Sequence, residues 1–145
     1  MEKLLISACL LGVSCRYDGG SNALSEDVLT ALRARYDLLP VCPERDGGMP
    51  TPRIPSERRG DRVVNRAGED VTLFFACGAE KALDAARAAG STRALLKERS
   101  PSCGSGLIYD GSFTGTLVPG DGLTAEKLRA AGIEVFGESR TEELL

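Results

Sequence analysis

The chain has 145 residues, 42% of them hydrophobic, no histidine and a formal charge of −3. That length buries a core without disulfides and fits one domain, 1–145. The charge balance leaves no basic footprint for nucleic acid or a membrane surface, and the missing histidine removes the commonest general base and metal ligand.

Residues 3–8 are continuously apolar and read as a strand buried on both faces. Residues 9–22, CLLGVSCRYDGGSN, form a loop with a tight turn at Asp18-Gly19-Gly20. A helix starts at about Leu24 or Ser25 and ends at Tyr36, because Leu24, Val28, Leu29 and Leu32 recur at helical spacing. Glu26 and Asp27 suit its first turn. Residues 37–41 are the second strand, ended by Pro43. Residues 44–57, ERDGGMPTPRIPSE, are expected to supply no core; so long a loop in a compact domain binds or covers something.

Residues 62–65 make a short edge strand. Asp70 is the expected cap of a helix over 71–89, with Leu73, Phe74, Cys77, Ala82 and Leu83 inward and Gly90 as its stop. Residues 93–97 are the third long strand. Residues 107–109 and 113–117 read as a hairpin about Asp110-Gly111. A helix over 124–131 halts at Gly132, and 134–136 is the last strand. The charged tail, about 138–145, is expected to fray. This order predicts an α/β fold: a single-domain three-layer sandwich with a mostly parallel, Rossmann-like sheet, helices on both faces and a small β-hairpin.

The five cysteines are odd in number and widely spread, which makes a poor disulfide framework. Reduced thiols serving as ligands or nucleophiles fit better, in a cytoplasmic protein. Ile6-Ser7-Ala8-Cys9 has the look of a lipoprotein cleavage box. The apolar run before it covers only 4–6, short of the roughly 7–15 residues an export signal needs. No stretch is long enough to span a membrane.

Cys9, Cys42 and Cys103 each follow an apolar strand, and ligands of open parallel sheets lie beyond the strands' carboxyl ends. The three strand ends are therefore expected to meet and their thiols to hold one cofactor. Cys103 lies in KERSPSCGSG, residues 97–106, where small residues let backbone N–H groups face a ligand. Ser100 and Ser102 can donate hydrogen bonds to a bound anion or substrate, while Gly104 and Gly106 admit close approach. Cys15, beside Arg16, is a ligand, a nucleophile or neither. Cys77 reads as core. Without a C-x-x-C pair, zinc ribbons and thioredoxin-like motifs lose support. Thiolates without histidine suit a soft metal or an iron–sulfur cluster. Glu44, two residues past Cys42, is either a solvated surface carboxylate or a general acid or base beside the cofactor. Arg53, Lys97 and Asp121 are substrate contacts or solvated charges.

SACLLGVSCRYDGG, PVCPE with GGMPTPR, LLKERSPSCGSGLIYDGSFTGTLVPGDG and GIEVF resemble, in order, the TudS-like thiouracil desulfurases, from Leu4 to about Phe136. The resemblance implies a 4Fe–4S cluster held by Cys9, Cys42 and Cys103, with Cys15 as the alternative ligand. It implies that an open iron takes the sulfur of a small thiolated base and that the C–S bond breaks without net redox change. Glu44 and Ser100 match positions that aid proton transfer and water activation, and Ser102 and Gly104 stand as substrate contacts. No nucleic acid or membrane partner is expected, and the assembly is a monomer or a dimer. The rival readings are a metal-free sulfur carrier with a persulfide on Cys15 or Cys103, and a zinc-thiolate structural module.

Overall fold

The computed structural model describes Met1–Leu145. In chain order it contains β1 (Glu2–Ser7), α1 (Glu26–Arg35), β2 (Tyr36–Val41), the single turn α2 (Pro43–Asp46), β3 (Ser56–Arg59) and β4 (Arg62–Asn65). Then follow α3 (Thr72–Ala89), β5 (Arg93–Leu96), β6 (Leu107–Tyr109), β7 (Leu117–Pro119), α4 (Leu123–Ala130) and β8 (Glu134–Gly137). Short 3-10 turns occupy Ala8–Leu11 and Glu138–Leu144.

Four strands form one parallel sheet in the order β2-β1-β5-β8. Its side chains alternate between two cores. Leu5, Ala94, Leu96 and Val135 pack on one face with Ala82, Leu83 and Ala86 of α3 and Leu128 of α4. Leu4, Ile6, Leu95 and Phe136 pack on the other with Leu32 of α1 and with Leu144. A sheet covered on both sides needs strands without polar alternation, which is why they read as solid apolar runs. Each fully buried Leu or Ile contributes about 1.5–3 kcal/mol. The α/β sandwich expected from the sequence is present, with β3–β4 and β6–β7 as separate antiparallel ribbons.

The chain leaves β1 toward β2, then crosses back past β1 to β5. Windings of opposite sense open a crevice at the carboxyl ends of β1 and β5, the usual ligand position in such sheets. Cys9 follows β1 and Cys103 follows β5, so the reversal itself brings these thiols to one place.

Four local expectations change. The inner face of α3 is Phe75, Gly78, Ala79, Ala82, Leu83 and Ala86. Leu73 is 83% exposed, Phe74 is 45% exposed and Cys77 is exposed, so Cys77 is not core. Close backbone contact decides the phase. A Cβ on Gly78 would lie 1.9 Å from the Pro43 carbonyl oxygen, and one on Gly47 would lie 2.1 Å from that of Phe74. Only the small-residue stripe can face α2. The helix itself begins at Thr72, whose N–H donates to Asp70 Oδ1 at 2.9 Å.

The proline-rich segment does contribute core. Met49 packs with Val63, Val71 and Phe75, and β3 pairs with β4. A single apolar residue among Gly and Pro leaves no periodic signal. The second hairpin strand is Leu117–Pro119 rather than 113–117. Phe113 adopts φ 59°, a left-handed conformation that no strand accommodates. The tail does not fray: Leu144 is buried, and Tyr36 Oη donates to its carbonyl at 2.6 Å.

Candidate active site

A cavity of about 530 Å³ opens at the carboxyl ends of the sheet. Cys9, Cys15, Cys42 and Cys103 all line it, together with Glu44 and Ser100. Cys9 sits in the 3-10 turn after β1, and Cys42 stands immediately before α2. Cys103 follows β5 by way of a tight turn in which Gly104 N–H donates to the Ser100 carbonyl at 2.9 Å. All five cysteines are free. Three strand ends thus deliver three thiols to one cavity, with Cys15 as a fourth.

Burial pushes the Cys103 thiol up to about 12, although the Ser7 hydroxyl pulls it the other way. Burial also raises Cys9, opposed by a hydrogen bond from Asn22. Cys15 and Cys42 share a hydrogen bond that lowers Cys42 to about 7 and raises Cys15. Cys42 Sγ also lies 3.9 Å from the Cys15 carbonyl oxygen. That oxygen also accepts from Arg53 Nη2 at 3.0 Å. The shared hydrogen bond thus favours the thiolate at Cys42 over Cys15.

Glu44 is held from two directions. Arg53 grips Oε2, with Nε at 2.8 Å and Nη2 at 2.7 Å. Ser100 Oγ donates to Oε1 at 3.4 Å. The same serine oxygen accepts the N–H groups of Ser102 at 3.0 Å and Cys103 at 3.1 Å. Ser100 thereby ties the Cys103 turn to the carboxylate that follows Cys42. The Arg53 side chain is only 5% exposed and is further bonded to the Pro50 carbonyl and Thr51 Oγ1 at 3.2 Å each. It is a buried orienting cation, not a solvated one.

Ser102 and Gly104 stand outside the cavity wall. The Ser102 hydroxyl shares a 2.8 Å hydrogen bond with Thr124 Oγ1. A Cβ on Gly104 would lie 2.6 Å from the Ser100 carbonyl oxygen. Both shape the turn that carries Cys103. Asp121 accepts from Gly106 N–H at 2.9 Å and pairs with Arg129 at 3.3 Å, bracing the same loop. Lys97 does line the cavity, with Nζ 2.8 Å from Glu138 Oε1. Tyr17, Glu57, Tyr109 and Phe113 also line it; three of them fall within the motifs quoted above, but nothing in their spacing singles out any of the four as a site residue.

The fold and the site define an α/β domain that gathers four thiols beside an oriented carboxylate at the carboxyl ends of its sheet. The profile of the 2-thiouracil desulfurase family matches residues 4–140, and the chain belongs to that family. A curated relative, the uncharacterized protein YbbK of Bacillus subtilis (strain 168), is 40% identical over 152 residues, covering 98% of this chain and 99% of its own. A solved structure, that of the [4Fe-4S]-dependent thiouracil desulfidase TudS, is 51% identical with a TM-score of 0.95. The match covers 99% of this chain and 95% of that one.

Proposed function

We propose that the chain is a [4Fe-4S]-dependent desulfidase that converts a thiolated pyrimidine such as thiouracil, with water, into the oxo base and sulfide. The observation that carries this reading is the meeting of Cys9, Cys42 and Cys103 in one cavity with Glu44 and Ser100. Membership of the desulfurase family and the likeness to TudS support it.

The donor set fits such a cluster. The cavity wall offers thiols and no imidazole, the soft ligands iron–sulfur clusters take. No three Cys, Asp or Glu side chains converge tightly enough to hold a single metal ion. Cys9, Cys42 and Cys103 would hold the cluster, leaving Cys15 as the hydrogen-bonding neighbour of Cys42. When bound, the cluster would supply a soft Lewis acid suited to a thione sulfur.

The protein's own residues manage the water and its proton. Glu44, locked by Arg53 through Oε2, presents Oε1 toward Ser100 and accepts a proton from the attacking water. It returns that proton to the departing sulfur or the ring nitrogen, so no net redox change is needed. Ser100 fixes the distance between the carboxylate and the Cys103 turn. Five free thiols suit a reducing compartment such as the cytoplasm. No helix is long and apolar enough to cross a membrane.

Sulfide release from thiouracil under anaerobic conditions tests the reading. Single serine variants of Cys9, Cys42 or Cys103 lose bound iron and sulfide release together, whereas Cys15→Ser keeps its iron. Full activity in the Cys9/Cys42/Cys103 triple variant would refute it.

A further inference from the structure

Three of the chain's seven aromatic residues, Tyr17, Tyr109 and Phe113, line the cavity that holds the four thiols. Phe113 is the odd member. Like the two tyrosines it belongs to none of the three hydrophobic cores, but it alone of the three has a left-handed backbone, with φ 59°. A bulky residue in the left-handed region is strained, and such strain persists only where surrounding contacts impose it.

The imposing contacts come from the β3–β4 ribbon. Glu57 Oε1 accepts the N–H of Gly111 at 3.0 Å and that of Phe113 at 3.1 Å. Arg59 Nε donates to the Gly111 carbonyl at 2.7 Å. The Arg66 guanidinium carbon lies 5.6 Å from the Phe113 ring centroid. Two ribbons that pair with neither the main sheet nor each other are thereby clasped together at the cavity, and the clasp fixes one aromatic side chain on its wall.

We infer that Phe113 is the surface on which the substrate's planar heterocycle stacks, and that Glu57 is the positioning residue that holds it there. This rests on the desulfidase reading, since it assigns a binding wall for that substrate. A benzene ring offers no hydrogen bond, so it selects for a flat π-face and leaves the choice of ring substituents to other groups.

The test measures KM and kcat for sulfide release from thiouracil, together with calorimetric binding of uracil, on cluster-loaded protein without oxygen. Phe113→Leu raises KM and the uracil Kd about tenfold or more, with kcat, iron content and cluster absorbance near wild type. Phe113→Tyr restores both constants. Glu57→Ala moves KM in the same direction as Phe113→Leu, and Glu57→Gln moves it less because its amide oxygen still accepts. A Phe113→Leu protein with wild-type iron, KM and Kd overturns the proposal. If that variant loses its iron, Phe113→Trp decides: a KM at or below wild type supports stacking, and a tenfold rise contradicts it. Should the wild-type protein release no sulfide from thiouracil, the desulfidase reading fails and stacking falls with it. Normal wild-type turnover with an indifferent Phe113 removes stacking alone.

Discussion

Arg53 shows how one buried side chain sets the chemistry of another. Its guanidinium reaches Glu44, the Cys15 carbonyl, Pro50 and Thr51 at once, so it fixes the carboxylate and the Cys15 loop together. Lysine has a single nitrogen and cannot reproduce that fork. Arg53→Lys is therefore expected to lower kcat about 100-fold through misplacement of Glu44, with iron content retained, as steady-state sulfide release and iron assay would show. Unchanged kcat would mean that Glu44 needs no such orientation. The gathering of Cys9, Cys42 and Glu44 was legible in the sequence because each stands within three residues of a strand end, and that of Cys103 because it follows β5 in a loop of small residues. Arg53 was not, since nothing local distinguishes a buried arginine in a Pro-rich loop from a solvated one. Glu57 and Phe113 left no signal either, because their partnership spans 56 residues.

At the scale of elements, the contact between α2 and α3 positions the site. α2 follows Cys42 directly and carries Glu44, and it sits against α3 where Gly47 and Gly78 meet the opposing backbones. Lys81 of α3 also donates to the Asp46 carbonyl at 2.9 Å. A methyl group at Gly78 has no room, so Gly78→Ala forces α2 away from α3. We expect a loss of about 1–3 kcal/mol in stability, with reduced iron occupancy because Cys42 moves with the turn. Ala86→Gly, buried farther along α3, lowers the melting temperature without lowering iron occupancy. Equal iron in both variants at matched stability would dissociate the α2–α3 contact from the site. The same glycine misled the reading of α3. Weighting large apolar residues placed Leu73, Phe74 and Cys77 inward, whereas backbone proximity selected the Gly and Ala stripe.

Across the whole molecule, the site is a consequence of topology. A parallel sheet wound in opposite senses from β1 must open between β1 and β5, and the chain places Cys9 and Cys103 after those strands and Cys42 after the neighbouring β2. That much followed from three apolar runs ending at cysteine, because strand period, connection length and handedness act on local sequence. The Pro-rich loop was expected to bind or cover something, and its Arg53, Pro55 and Glu57 do line the cavity, but the other segments that cover the crevice did not follow. The roof comes from β3–β4 and the loop between β6 and β7, short polar ribbons whose pairing and clasping depend on hydrogen bonds between distant residues. The tail was likewise misread, since one buried Leu144 in a charged stretch carries no pattern.

The most direct test of the central claim is the iron content and ultraviolet–visible spectrum of the protein purified and reconstituted without oxygen. The account predicts a broad brown absorbance with about four irons per chain, as a cubane cluster requires, lost when Cys9, Cys42 or Cys103 is replaced by serine. A colourless protein that binds no iron, or one that binds iron equally well without those three thiols, would contradict it.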